Sequence, residues 1–236
     1  MPELNDAQKY YLNGFVQKQW RETPALTQII NCVRALSAGQ IKPGFSLDTK
    51  YKNSRDLRPN VNDYDPAFLQ ILADNDIPHL LKEVTGEDLL LTHIQLRISY
   101  PGATYMDWHR DTHIYGGKII GNVPPVHKII FYPELVGDNI PKLKVIAGSQ
   151  RRQFSHQIID LLQTQLCRRT VIKSSNSDFL LFNTAMFHAV VPEPSQTGSW
   201  RVIYSFARAF QTVNYDDSQT LIEKYQKILN TPNANN

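Results

Sequence analysis

The pattern of apolar and polar positions changes character near residue 90. Before it, apolar residues recur at helical spacing; after it, they alternate with polar ones or run in short blocks. Asn5 or Asp6 is placed to cap a helix running to about Trp20, with Tyr10, Phe15 and Trp20 among its apolar residues and Gly14 inside it. A second helix is predicted over Pro24–Leu36. Residues 40–63 are rich in Pro, Asn, Asp and Lys and read as a long surface loop. Helical turns resume near Pro66–Ala73. Asp76 then caps a short helix with Pro78 at its first position and Gly86 just past its end.

In the second half, Ile94, Leu96, Ile98 and Tyr100 alternate with Gln95, Arg97 and Ser99, the period of a half-buried strand. Further strands are predicted at Tyr105–Asp111, Lys128–Tyr132, Leu143–Ile146, Thr170–Lys173, Phe179–Phe182, His188–Val191 and Arg201–Phe206. A helix over Phe154–Leu166 interrupts the series. A last one from about Asp217 puts Leu221, Ile222, Tyr225, Ile228 and Leu229 on one face, before a tail, Asn230–Asn236, expected to be disordered. Short strands separated by turn residues predict an antiparallel barrel or jelly roll, mainly β with flanking α-helices. The expected organisation is a single domain over 1–236. It has a helical N-terminal part (1–88), a β core (about 90–210) and a C-terminal helix (about 217–230).

Composition narrows this little. The hydrophobic fraction is 42% and the charged fraction 20%, ordinary for a globular protein. A net charge of +3 is too weak to imply a nucleic-acid partner. No apolar run reaches the roughly 18 residues of a membrane span, and no signal peptide is visible. Cys32 and Cys167 lack CxxC spacing and read as reduced thiols. A cytoplasmic location is the default expectation.

The candidate chemistry lies in three residues. His109 and Asp111 are separated by one position, so on a strand they project to the same face. His188 opens a later strand that an antiparallel roll can bring alongside. Two imidazoles and one carboxylate occupy one face of an octahedron and leave three positions open, the donor set of non-haem Fe(II) oxygenases. A structural zinc site would instead be closed. On its own a His-x-Asp triplet is a weak signal. Arg201, thirteen residues after His188 and early in a β-strand, strengthens it, because an Arg inside a roll is costly unless it meets an anion, and a guanidinium grips a carboxylate bidentately. The Pro101-Gly102 turn, the strand ending at Gly148-Ser149 and the buried run Asp178–Phe182 leading to His188 complete the pattern.

In order along the chain these segments are Asn13-Gly14-Phe15, Tyr100-Pro101-Gly102, Trp108-His109-Arg110-Asp111-Thr112-His113, Val145-Ile146-Ala147-Gly148-Ser149-Gln150, Asp178–Phe182, Phe187-His188-Ala189 and Arg201. Together they resemble the phytanoyl-CoA dioxygenase-like branch of the Fe(II)/2-oxoglutarate oxygenases, over about residues 5–210. That family usually has Pro where Ala147 stands and often His where Gln150 stands. The resemblance implies a double-stranded β-helix, the cupin-like jelly roll. It implies Fe(II) held by His109, Asp111 and His188, with 2-oxoglutarate and O₂ as co-substrates and succinate and CO₂ as co-products. It implies Arg201 on the far carboxylate of 2-oxoglutarate, with Lys128 as a second positive contact. Related halogenases carry a small residue at the position of Asp111, so its carboxylate favours hydroxylation; desaturation, cyclisation and epimerisation remain open.

Tyr105, Trp108, Arg110, His113 and Tyr115 flank the metal strand and are the candidates to line a substrate pocket. The expected partner is a small molecule, with an acidic or CoA- or carrier-linked one suggested by the pairs Arg151-Arg152 and Arg168-Arg169. His79, His93, His127 and His156 read as structural or surface residues. Two rivals stand beside this reading: a cupin-type metalloenzyme that does not use 2-oxoglutarate, and a non-catalytic binding protein on the same scaffold. A nucleic-acid demethylase is disfavoured, because the strand from Arg201 lacks that branch's Arg-x-Asn-x-Thr-x-Arg pattern and no basic stripe with interleaved aromatics is present.

Overall fold

The structure is a computed structural model that describes residues 3–51, 53–100, 108–111, 114–115, 118–119, 126–134, 141–154, 156–190, 198–209 and 218–230. The first helix, α1 (Asp6–Asn13), opens with a capping box. The Asn5 side chain accepts from the Gln8 N–H at 2.8 Å, and Gln8 Oε1 accepts from the Asn5 N–H at 3.0 Å. The helix stops at Gly14 and does not continue to Trp20 as its apolar spacing suggested. Gly14 is left-handed (φ +88°), and a Cβ there would lie 2.6 Å from Gln150 Oε1 and 2.9 Å from Met186 Sδ. The chain turns at this glycine into β1 (Phe15–Gln19).

Helix α2 (Pro24–Ser37) follows, capped by Thr23 with proline in its first turn. The segment expected to be a surface loop is instead a hairpin, β2 (Ser46–Tyr51) and β3 (Ser54–Arg58), followed by the short helix α3 (Val61–Tyr64). The hairpin forms because β3 pairs with β4 (Leu90–Ser99), Ser54 facing Ser99 and Asp56 facing Arg97. Helices α4 (Ala67–Asp74) and α5 (Ile77–Thr85, ended by Gly86) fall close to the predicted positions.

The β half contains β5 (Ile114–Tyr115), β6 (Lys118–Ile119), β7 (His127–Phe131), β8 (Pro141–Val145), β9 (Thr170–Lys173), β10 (Asp178–Asn183), β11 (His188–Val190) and β12 (Ser199–Ala207). Helix α6 (Gln157–Leu166) lies between β8 and β9, and α7 (Ser218–Asn230) follows β12. Of the predicted strand Tyr105–Asp111, residues 101–107 lie outside the described part; His109 makes an isolated bridge to His188. The predicted tail beyond residue 230 also lies outside it.

A seven-stranded sheet, ordered β1-β10-β7-β12-β4-β3-β2, faces a three-stranded one, β11-β8-β9. All pairings are antiparallel. This is a double-stranded β-helix with helices on one side. Strand alternation divides β12 between two environments. Trp200, Val202, Tyr204 and Phe206 point outward into the main core, shared with Ile29, Val33, Phe68, Leu72, Ile77 and Leu81 of the N-terminal helices and Leu221 and Tyr225 of α7. Ile203 points between the two sheets into a smaller cluster with Ile130, Leu143, Val145, Leu180, Phe182 and Met186. Arg201 and Ser205 share that inward parity.

Candidate metal centre

The three predicted ligands converge. Segment 109–111 runs antiparallel to 184–188: His109 and His188 exchange both backbone hydrogen bonds at 3.0 Å, and the Asp111 N–H donates to the Thr184 carbonyl at 2.9 Å. These bonds bring the two distant stretches into one register. One ligand atom from each of His109, Asp111 and His188 can be chosen so that all lie within 4.8 Å of one another. His109 Nε2 is 3.5 Å and His188 Nε2 4.0 Å from Asp111 Oδ1. The two imidazole centroids are 4.2 Å apart.

The protonation states suit a cation. His188 Nδ1 lies 2.9 Å from the Met186 carbonyl, which can only accept, so Nδ1 carries the proton and Nε2 presents its lone pair towards Asp111. Burial pushes the His188 imidazole down to about 4, against the pull of Asp111, so at neutral pH it is the uncharged ligand form. Burial would raise the Asp111 carboxyl, but the hydrogen bond from His109 and the charge of Lys128 outweigh it and hold the carboxyl well below the usual carboxylate range. The neutral imidazole of His188 and the anionic carboxylate, with the imidazole of His109 beside them, offer the mixed nitrogen and oxygen donors of a divalent first-row metal site. His188 is almost wholly buried, whereas His109 and Asp111 are each a little over one-quarter exposed, so access is from their side.

Lys128, on the inward face of β7, places its ammonium on Asp111 Oδ2. Arg201 is buried and inward on β12, its Cα paired with that of Arg97 on β4. Arg97 in turn grips buried Asp56 through Nε (2.5 Å) and Nη2 (2.8 Å). The inward side of the large sheet therefore carries Lys128, Arg201, Ser205 and the Asp56–Arg97 pair where its outward side is apolar.

Arg110, expected among the substrate residues, faces away from the site. Lying between two ligands on an extended segment, it takes the opposite face. Its guanidinium is buried, bound bidentately to Asp160 of α6 at 2.8 and 3.0 Å, and bonded to the carbonyls of Ser149 (2.8 Å), Arg152 (3.1 Å) and Ala185. It also stacks on Phe187 at 3.9 Å. This is a clamp on the two stretches that carry the ligands, and it corrects the expectation of a substrate contact. Trp108 is half-buried, with the Arg169 guanidinium 5.7 Å from its ring centre. Tyr105 and His113 lie outside the described residues; Tyr115 is in β5, where the backbone alone is described.

The Gly148-Ser149 turn ties in the same stretch. Ser149 Oγ accepts from the Phe187 N–H at 2.8 Å, next to His188. The Gly148 N–H donates to the Asn13 carbonyl and the Asn183 N–H to the Gly14 carbonyl, both at 2.8 Å. A Cβ on Gly148 would stand 2.9 Å from the Leu12 carbonyl, so only glycine permits this approach. Three segments far apart in sequence thus brace residues 183–188. Sequence reasoning missed Asp160 and Asp56, because an isolated Asp inside an apolar stretch or a polar hairpin does not announce its partner.

No family model matches the sequence, and no curated protein matches it significantly. Solved structures do. HygX from Streptomyces hygroscopicus, solved with nickel, 2-oxoglutarate and hygromycin B, superposes with a TM-score of 0.61 at 13% identity, covering 85% of each chain. SnoN, a non-haem 2-oxoglutarate-dependent epimerase of nogalamycin biosynthesis, gives 0.64 at 12% identity over 86% of this chain and 82% of its own. EctD from S. alaskensis, with 2-oxoglutarate and 5-hydroxyectoine, gives 0.61 at 14% over 86% and 75%. The fold is that of the 2-oxoglutarate oxygenases. At these identities the likeness is one of fold, and it agrees with the jelly roll read from the strand pattern.

Proposed function

We propose that this chain is a 2-oxoglutarate-dependent non-haem iron enzyme that oxidises a small molecule, with hydroxylation of an unactivated C–H bond as the first expectation. The observation that carries the reading is the convergence of His109, Asp111 and His188 on one point of an oxygenase fold. Those three residues would hold the Fe(II). Bound there with 2-oxoglutarate and O₂, the iron supplies an oxidant able to attack a C–H bond, and succinate and CO₂ leave as co-products.

The remaining work belongs to the chain itself. Arg201, buried on the inward face, offers a bidentate grip for the distal carboxylate of 2-oxoglutarate. Arg97 beside it is charge-matched by Asp56. Lys128 neutralises Asp111 in the metal-free protein and is the nearest ammonium to the ligand cluster among the described residues. Arg110 and Ser149 hold the ligand-bearing stretches in place and keep water from behind them. The intact carboxylate at Asp111 supports oxygen transfer over halogenation.

A small-molecule substrate is supported by solved neighbours that hold hygromycin B or 5-hydroxyectoine. The helical N-terminal part and the roll are read as one domain, since both contribute to the same core. Among the described residues no helix is long and apolar enough to cross a membrane, and Cys32 and Cys167 are free thiols, which fits a reducing cytoplasm. The reading is tested by succinate formation from 2-oxoglutarate under Fe(II) and O₂ across a panel of metabolites. Substrate-stimulated succinate that disappears in His109→Ala and Asp111→Ala is expected. Metal binding without any 2-oxoglutarate turnover would favour the cupin-type alternative.

A further inference from the structure

Helix α6 is amphipathic the wrong way round for a monomer. Its polar residues Asp160, Gln163 and Thr164 are the buried ones, with Asp160 held by Arg110 and Gln163 Nε2 donating to Asp160 at 2.8 Å. Its apolar residues face water: Leu166 is 80% and Ile158 67% exposed, and Ile159, Leu161 and Leu162 are near one-half. Phe154 just before the helix and Val171 on β9, the edge strand of the small sheet that follows it in the chain, are exposed as well. Of eleven large exposed hydrophobics among the described residues, these are seven; the other four are scattered singly. Scattered apolar residues are normal on a monomer, whereas a contiguous set marks an interface.

We propose that this face pairs two copies of the chain, α6 against α6 across a two-fold axis. Size supports it. At roughly 150–200 Å² per fully exposed side chain of this kind, the seven present roughly 600 Å². That is the upper end of what a monomer carries, and with a polar rim it approaches the roughly 800 Å² per partner of a stable dimer. Self-complementarity supports it too. The exposed side of α6 carries no charged residue, its one acid being buried on Arg110, so a two-fold axis brings apolar against apolar with no like-charge contact.

Three of the four nearby arginines argue against an anionic lipid surface as the occupant; the fourth, Arg168, is exposed. Arg151, Arg152 and Arg169 are turned back onto carbonyls of their own chain, those of Leu12, Ala147 and Thr164, at 3.2, 3.4 and 2.7 Å. Pairing would also press α6 down onto Asp160–Arg110, the clamp behind the ligand-bearing stretch. The proposal does not depend on the oxygenase reading, because it concerns the outer side of that helix.

Sedimentation equilibrium of the full chain across micromolar concentrations tests it, without added metal. The wild type is expected at twice the chain mass. Ile158→Lys with Leu162→Lys buries two unpaired ammonium groups in the pairing face and is expected to raise the dimer dissociation constant at least about 100-fold. Leu166→Gln, at the most exposed position, guards against misfolding and is expected to weaken pairing with an unchanged far-ultraviolet spectrum. Leu229→Lys, an exposed leucine elsewhere, is expected to leave the dimer intact. A wild type that is monomeric throughout overturns the proposal, as does a dimer that survives the α6 variants. A monomer that co-sediments with phosphatidylserine vesicles would overturn it in favour of a lipid surface.

Discussion

The two faces of strand β12 differ more than any two regions of this molecule. Outward, Trp200, Val202, Tyr204 and Phe206 fill an apolar core under the helices. Inward, Arg201 and Ser205 flank Ile203 and share their space with Lys128 and the Asp56–Arg97 pair. One nine-residue strand thus packs the apolar core with its even residues and carries all its polar and charged buried side chains, Ser199, Arg201 and Ser205, at odd ones. A buried guanidinium is a poor way to stabilise a protein, since a well-packed apolar residue does as well or better. Its place on the inward face fits the carboxylate grip proposed for Arg201.

Substitutions should separate the two faces. Phe131→Ala on the apolar side, fully buried, is expected to cost about 3–5 kcal/mol, read as a fall in the urea midpoint. Asp160→Ala leaves the Arg110 charge buried against carbonyls alone and is expected to cost nearly as much, about 3–5 kcal/mol. Because Arg110 braces the ligand stretch, the same variant should bind divalent metal about 10–100-fold more weakly. A variant that loses stability but keeps wild-type metal affinity would refute the clamp.

A pH titration gives an effect of intermediate size. Buried His127, hydrogen-bonded to Tyr10 Oη through Nδ1 at 2.5 Å, is pushed down to about 4 by burial, against the pull of Glu87. Above pH 6.5 it is neutral in both folded and unfolded chains. Below that, only the unfolded chain takes the proton, so stability should fall by on the order of 3 kcal/mol between pH 6.5 and 4. His127→Gln should remove that share of the fall and leave the share of His188, which burial also pushes down to about 4. Smallest in stability is Arg201→Met. It is expected to change the urea midpoint by less than about 1.5 kcal/mol while weakening 2-oxoglutarate binding by about 1.5–3 kcal/mol, a loss of roughly 10–100-fold by calorimetry.

The same division explains what could be read from the sequence. Strands whose buried residues are apolar, such as Phe179–Phe182 and Thr170–Lys173, were legible within a residue. The hairpin of residues 46–58 was not, because its buried inward residues are Ser54 and Asp56, and a polar core position leaves no hydrophobic period. The apolar spacing of Phe15, Val16 and Trp20 suits a helix; the left-handed turn at Gly14 that ends it is packed against Gln150 and Met186, residues more than 130 positions away. Spacing revealed the His109-Asp111 pair and the order of motifs revealed His188. It could not reveal Arg110's turn towards Asp160, which depends on a helix fifty residues on.

Isothermal titration of the metal-free protein with Co(II), as an oxygen-stable stand-in for Fe(II), probes the metal centre most directly. One equivalent should bind to the wild type, with His109→Ala, Asp111→Ala and His188→Ala each losing it while keeping the wild-type circular dichroism spectrum. Equal binding by the wild type and all three variants would contradict the centre.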